Sequence, residues 1–132
     1  MNTTNLGRLG EAKVVARLTE LGWYPFTDPS GKCPVDLVAW KDGRLVSLQV
    51  KACNSKPYGV SYSVQLRSTR PNRTGNAVKL FDPASVDYLA VYLQGDDLVC
   101  FVPSGKISSG RQVSMNLERT PRSLYVYDFL EL

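Results

Sequence analysis

The sequence contains no histidine. That absence excludes triads built on imidazole, histidine-ligated zinc, and nucleases that rely on a histidine base. Cysteine is scarce. Cys33, Cys53 and Cys100 are odd in number and far apart, which argues against a disulfide framework and against a zinc ribbon. They read as buried thiols in a reducing compartment. No apolar run approaches the length of a membrane span. The opening MNTTNLGRLGEAK lacks the apolar core of a signal peptide. The expectation is a cytoplasmic protein that makes no membrane contact. Acidic residues are missing altogether from positions 67–79.

The 132 residues are 43% apolar, with a net charge of +4. This length predicts a single domain over residues 1–132 with a sizeable core. The mild basicity is compatible with nucleic acid without pointing to it. A first helix is predicted over residues 5–21, capped from among Asn2 to Asn5 and stopped by Gly22. Leu6, Val14, Val15, Leu18 and Leu21 share one side of it, and Glu11 falls in the same sector. A carboxylate there needs a partner, a metal or a raised pKa.

Strands are predicted at 23–26, 58–66, 86–93, 98–102 and 112–117. Tyr58, Val60, Tyr62, Val64 and Leu66 should share a face of the second of these. Residues 27–32 and 67–79 read as loops, the latter on the surface. Residues 124–132 read as a short strand or helical turn docked on the core.

The central feature is the stretch 34–53. Asp42-Gly43 between two apolar runs predicts a two-residue hairpin turn. That register pairs Trp40 with Leu45, Val38 with Ser47 and Asp36 with Gln49. Asp36, Gln49 and Lys51 then converge on one face, with Leu37, Leu48 and Val50 on the other. If the first helix lies across the polar face, Glu11 joins them. Two carboxylates, an amide oxygen and the Val50 carbonyl make a hard-oxygen donor set suited to Mg²⁺, with Mn²⁺ able to substitute. Lys51 would stabilise charge on a phosphate or position the attacking water.

Gly10-Glu11, Val35-Asp36 and Gln49-Val50-Lys51 together resemble the PD-(D/E)xK nuclease superfamily. The resemblance is firm over about the first 55 residues. It extends to the later VDYLAVY and LVCFVP segments in the homing-type branch. It implies an α/β fold: a restriction-endonuclease-like core with a central mixed β-sheet flanked by helices. It also implies Glu11, Asp36 and Gln49 as metal ligands beside the Val50 carbonyl, and Lys51 as the catalytic lysine. Two departures stand out. Pro34 lies one place early for a literal Pro-Asp, and Gln49 replaces the usual acid.

The implied activity is that of a Mg²⁺-dependent DNA endonuclease. Two branches are similar: small Holliday-junction resolvases, and intron-encoded homing nucleases whose last element reads QxK. The near-minimal size and the lack of an added reading domain favour branched DNA narrowly over a double-strand cut at a specific duplex site, although Gln49 and the C-terminal half favour the homing branch. A non-catalytic DNA-binding relative is the alternative from another class. Arg8, Lys32, Lys56, Arg67, Arg70, Arg73 and Lys79 are the expected DNA-backbone contacts. Cutting both strands requires two sites, hence a homodimer or a tetramer of dimers. A phage- or mobile-element-encoded enzyme fits this description.

Overall fold

The computed structural model describes residues 1–54, 56, 59–72 and 75–132, apart from the side chains of 69–72, 76 and 77. The chain opens with helix α1 (Thr3–Glu20). Asn2 caps it by accepting a hydrogen bond from the Asn5 N–H at 2.8 Å, a contact typically worth about 1 kcal/mol. The helix closes on Gly22, whose φ is +87°. Trp23 N–H reaches back to Leu18 O at 2.9 Å, and Gly22 N–H to Thr19 O at 3.1 Å. This pair of bonds is the C-terminal motif that a left-handed glycine permits.

Five strands form the main sheet: β1 (Tyr24–Phe26), β2 (Leu37–Lys41), β3 (Arg44–Cys53), and, further along the chain, two more. Between them come β4 (Ser61–Gln65), β5 (Ser68–Asn72) and β6 (Gly75–Lys79). Then follow β7 (Tyr88–Leu93), β8 (Leu98–Pro103), β9 (Gln112–Asn116) and β10 (Leu124–Tyr125). The main sheet runs β1-β2-β3-β7-β8. It is mixed, because β3 and β7 are parallel while the other neighbours are antiparallel. A second sheet runs β10-β9-β4, and β5 and β6 pair as a separate ribbon.

The predicted hairpin register is present. Val38 faces Ser47 and Trp40 faces Leu45 around Asp42 and Gly43, whose φ values are +50° and +80°. Positive φ at both turn positions matches the twist of the flanking strands. The start of β7 is fixed on β3 by a reciprocal contact. Ser47 N–H donates to Asp87 Oδ2 at 2.9 Å, and Asp87 N–H donates to Ser47 Oγ at 3.0 Å. Gln49 thereby lies opposite Leu89 and Lys51 opposite Val91.

Two apolar layers sandwich the main sheet. On one face, Val14 and Leu18 of α1 pack with Trp23, Leu37, Ala39, Val46, Leu48, Val50, Ala90 and Tyr92. A Cβ on Gly10 would sit 3.0 Å from Ala52 Cβ, so the helix approaches β3 at glycine distance. On the other face, Cys53, Leu89, Val91 and Leu93 pack with Tyr62, Val64 and Met115 of the second sheet. Val126 and Phe129 join this layer, and Phe101 N–H on the edge strand β8 donates to Phe129 O at 2.7 Å.

Three expectations change. The helix covers the Leu48–Val50 face, not the face bearing Gln49 and Lys51, because its apolar stripe seeks the apolar side of the hairpin. Within residues 67–79, expected as a loop, 68–72 and 75–79 pair as the β5–β6 ribbon. Cys33 is exposed, in a turn-rich loop held by its N–H bond to Asp28 Oδ2, while Cys53 and Cys100 are buried. Tyr62, Val64 and Leu66 alternate inward as expected; Tyr58 lies outside the described residues.

The β7–β8 turn is fastened to both layers. Asp96 accepts from Tyr62 OH and pairs with Lys56 Nζ at 2.9 Å. Asp97 accepts from Tyr92 OH at 2.8 Å and pairs with Lys13 Nζ at 2.9 Å. Burial first, and then the hydrogen bonds to these carboxylates, push both phenols up, Tyr92 to about 12. The unfolded chain ionises tyrosine near pH ~10. The stabilisation is therefore complete below that pH and is lost as pH rises through the folded value. The thermal midpoint should fall steadily between about pH 10 and 12, and Tyr92→Phe should flatten the slope. An equal slope in the variant would locate the effect elsewhere.

Candidate active site

Asp36 sits one residue before β2, where β3 has run past the end of its antiparallel partner. Alternate residues of a strand point their N–H and C=O to the same neighbour. Ser47 turns toward the start of β7, so Val50 turns toward β2, where no strand residue meets it. Asp36 fills that gap. Its Oδ2 accepts from Val50 N–H at 2.8 Å and from Gln49 Nε2 at 2.7 Å. The Val50 carbonyl faces the same opening.

Asp36, Gln49 and Lys51 line a cleft of about 560 Å³. Its walls are the loop from Gly31 to Pro34, the exit of β4 at Leu66, the foot of the ribbon at Ser68 and Lys79, and the segment Leu80, Phe81, Asp82 and Ser85. Gln49 and Lys51 are half-buried. Burial lowers the Lys51 pKa, and the charge of Asp36 opposes that shift. A lysine so placed presents its compact amino group to whatever enters the cleft.

Glu11 is exposed on α1, at the border of the buried stripe and not inside it. Partial desolvation, followed by the charge of Asp36, raises its pKa. The two carboxylates therefore feel each other, although the helix lies on the other face of the sheet. Asp36 lies beyond the paired ends of both β1 and β2, where the sheet is two strands narrower.

Of the basic residues expected at the site, Lys32 and Lys79 line the cleft. Arg67 is exposed at the foot of the ribbon and Arg8 on the helix. Lys56 is committed to Asp96 and holds a turn. The side chain of Arg70, and Arg73 as a whole, lie outside the described residues. Cleft residues that the sequence did not suggest are Cys33, Ser68, Asp82 and Ser85. Asp82 caps the short turn Pro83–Ser85 through its Oδ1, which accepts from Ala84 N–H at 2.9 Å. Its Asp-Pro dipeptide was the available signal.

A sequence model described as PD-(D/E)XK endonuclease matches residues 1–125. The chain belongs to this endonuclease family. None of the curated proteins matches it. Among solved structures, it is similar to a bacterial homing endonuclease, with a TM-score of 0.74 and 22% identity over 98% of this chain and 88% of the other. That likeness carries the restriction-endonuclease-like fold: an α/β core around a mixed sheet, here flanked by α1 on one face and the second sheet on the other.

PD-(D/E)XK nucleases typically use divalent metals, and the donor chemistry here fits one. Glu11 and Asp36 are two carboxylates, the charge of Asp36 helping to raise the Glu11 pKa, beside a strand carbonyl and an amide. No cluster of three or more acidic or thiol side chains occurs among the described residues, so the neutral oxygens of Gln49 and Val50 would have to complete the set. With Gln49 Nε2 donating to Asp36, the Gln49 Oε1 is the atom left for a cation.

This bond also predicts how the site responds to an acid at position 49. Gln49→Glu should set a second carboxylate against Asp36 Oδ2. Without divalent ions the thermal midpoint should drop by about 4 °C, corresponding to a loss of about 1 kcal/mol. Mg²⁺ or Mn²⁺ should restore it. A midpoint unaffected by both changes would show that Gln49 and Asp36 do not share a metal position.

Proposed function

We propose that the protein is a Mg²⁺-dependent DNA endonuclease, with Mn²⁺ able to substitute. The observation that carries this reading is the Asp36–Gln49–Val50 contact at the open flank of β3, with Lys51 in the same cleft. Glu11, Asp36, the Gln49 amide oxygen and the Val50 carbonyl would hold the ion, which when bound activates water and neutralises charge on a phosphate. Lys51 places its ammonium on the non-bridging phosphate oxygens, where charge accumulates during hydrolysis. Asp36 keeps Gln49 and the Val50 carbonyl in position. Lys32 and Lys79 at the cleft rim, with Arg67 and Arg8 nearby, bind the flanking phosphates.

The substrate reading is a specific duplex site cut on both strands. Two observations favour it over branched DNA: a ribbon stands beside the cleft where a plain loop was expected, and the similar fold is that of a homing endonuclease. Two cuts need two copies, as a homodimer or a tetramer of dimers. Tyr24, Trp40 and Leu45, opposed across β1, β2 and β3 and 62%, 42% and 63% exposed, form an apolar row suited to that contact.

Cleavage of duplex and four-way-junction DNA, with and without Mg²⁺, tests this reading. Lys51→Ala should slow cleavage by about 10²–10³-fold while leaving the thermal midpoint near wild type. Cleavage undiminished in chelator, or in Lys51→Ala, would overturn the assignment. Preferential cutting of the junction in the presence of excess duplex would restore the branched-DNA reading.

A further inference from the structure

The β5–β6 ribbon is larger than a phosphate-gripping loop needs to be. It has five opposed pairs, from Ser68 with Lys79 to Asn72 with Gly75. At about 3.4 Å per residue, such a ribbon reaches about 14 Å from foot to tip. The DNA major groove, about 12 Å wide and about 8.5 Å deep, admits a two-stranded ribbon of these dimensions.

The foot of the ribbon is also the wall of the catalytic cleft, because Ser68 and Lys79 line it with Asp36 and Lys51. Both of its strands are tied to one dipeptide. Leu66 N–H and Arg67 N–H donate to Arg111 O at 2.9 and 3.4 Å, and Phe81 N–H donates to Gly110 O at 3.0 Å. Position 110 requires glycine, since a Cβ there would fall 2.5 Å from Phe81 O and 3.1 Å from Leu80 Cβ. The ribbon is thus held at a fixed distance from the cutting centre, as a reading element must be.

The residue types of the ribbon exceed what phosphate contact requires. Alongside Arg67, Arg70, Arg73 and Lys79 the sequence places Asn72 and Asn76, with no acid from 67 to 79. Arginine and asparagine are the types that pair bidentately with guanine and adenine. Val78, opposite Thr69, is 57% exposed, an apolar group of the kind that meets a thymine methyl.

We propose that the β5–β6 ribbon enters the major groove of duplex DNA and reads base edges. The inference rests on the nuclease reading and gives that site a sequence preference. Its test does not depend on cutting. Full-length protein in chelator is mixed with duplexes carrying a randomised core of two helical turns, and the bound fraction is sequenced. Wild type should enrich a motif. Arg70→Lys and Asn72→Ala should each lose about tenfold discrimination at one or two positions of it. Arg70→Lys keeps its charge, so the salt dependence of its binding should stay close to wild type. Replacing the motif's guanines by 7-deazaguanine, which removes the major-groove N7, should weaken wild-type binding by a similar factor.

Absence of any motif for wild type overturns the proposal. So does a motif unchanged in both variants, or indifference to 7-deazaguanine. Cleavage assayed with Mg²⁺ on the same proteins separates the two claims. Cutting without a ribbon-dependent motif leaves the nuclease reading alone standing. A ribbon-dependent motif without cutting leaves only the reader.

Discussion

The site depends on one hydrogen bond, from the Val50 N–H to Asp36 Oδ2. β3 is ten residues long and β2 only five, so β3 must leave backbone groups without a strand partner beyond Leu48. A buried N–H without a partner costs about 1–3 kcal/mol. Asp36 removes that cost and, in doing so, is fixed at the place where a strand carbonyl, an amide and a lysine share an opening. The structural requirement and the chemical one are met by the same carboxylate. Gln49 serves the same end: an amide can donate to Asp36 where a second carboxylate would repel it.

Much of the architecture was legible in the sequence because it is governed by local rules. Asp42-Gly43 set the turn, the turn set the register, and the register brought Asp36 beside Gln49. Gly22 marked the helix end, but the start predicted at residue 5 fell two residues late, because of the several possible caps it is Asn2 that is used. The placement of the helix did not follow. Glu11 lies next to Gly10 and one turn before the Val14–Val15 pair, so periodicity alone placed it among the buried residues. Packing assigned the buried side to Leu6, Gly10, Val14 and Leu18, and so turned the helix onto the face opposite the polar residues.

The ribbon was illegible for a different reason. Its strands contain Ser, Thr, Pro, Asn and Gly, all poor strand formers or turn residues except threonine. The strand signal that pattern analysis detects is apolar alternation along a sheet packed on a core, and this ribbon is a separate two-stranded pair whose strands carry few apolar residues. The fate of Lys56 was equally hidden, because its partner Asp96 lies far along the chain. Where the sequence suggested a surface cation, the fold supplied an ion pair.

Asp96 and Asp97 are consecutive, yet they hold opposite layers. One is bound to Tyr62 of the second sheet, the other to Tyr92 and to Lys13 of the helix. Neighbouring residues that serve opposite sides of a sheet make the length of a turn a structural constant. Inserting one residue here would exchange the two sides and release both layers together.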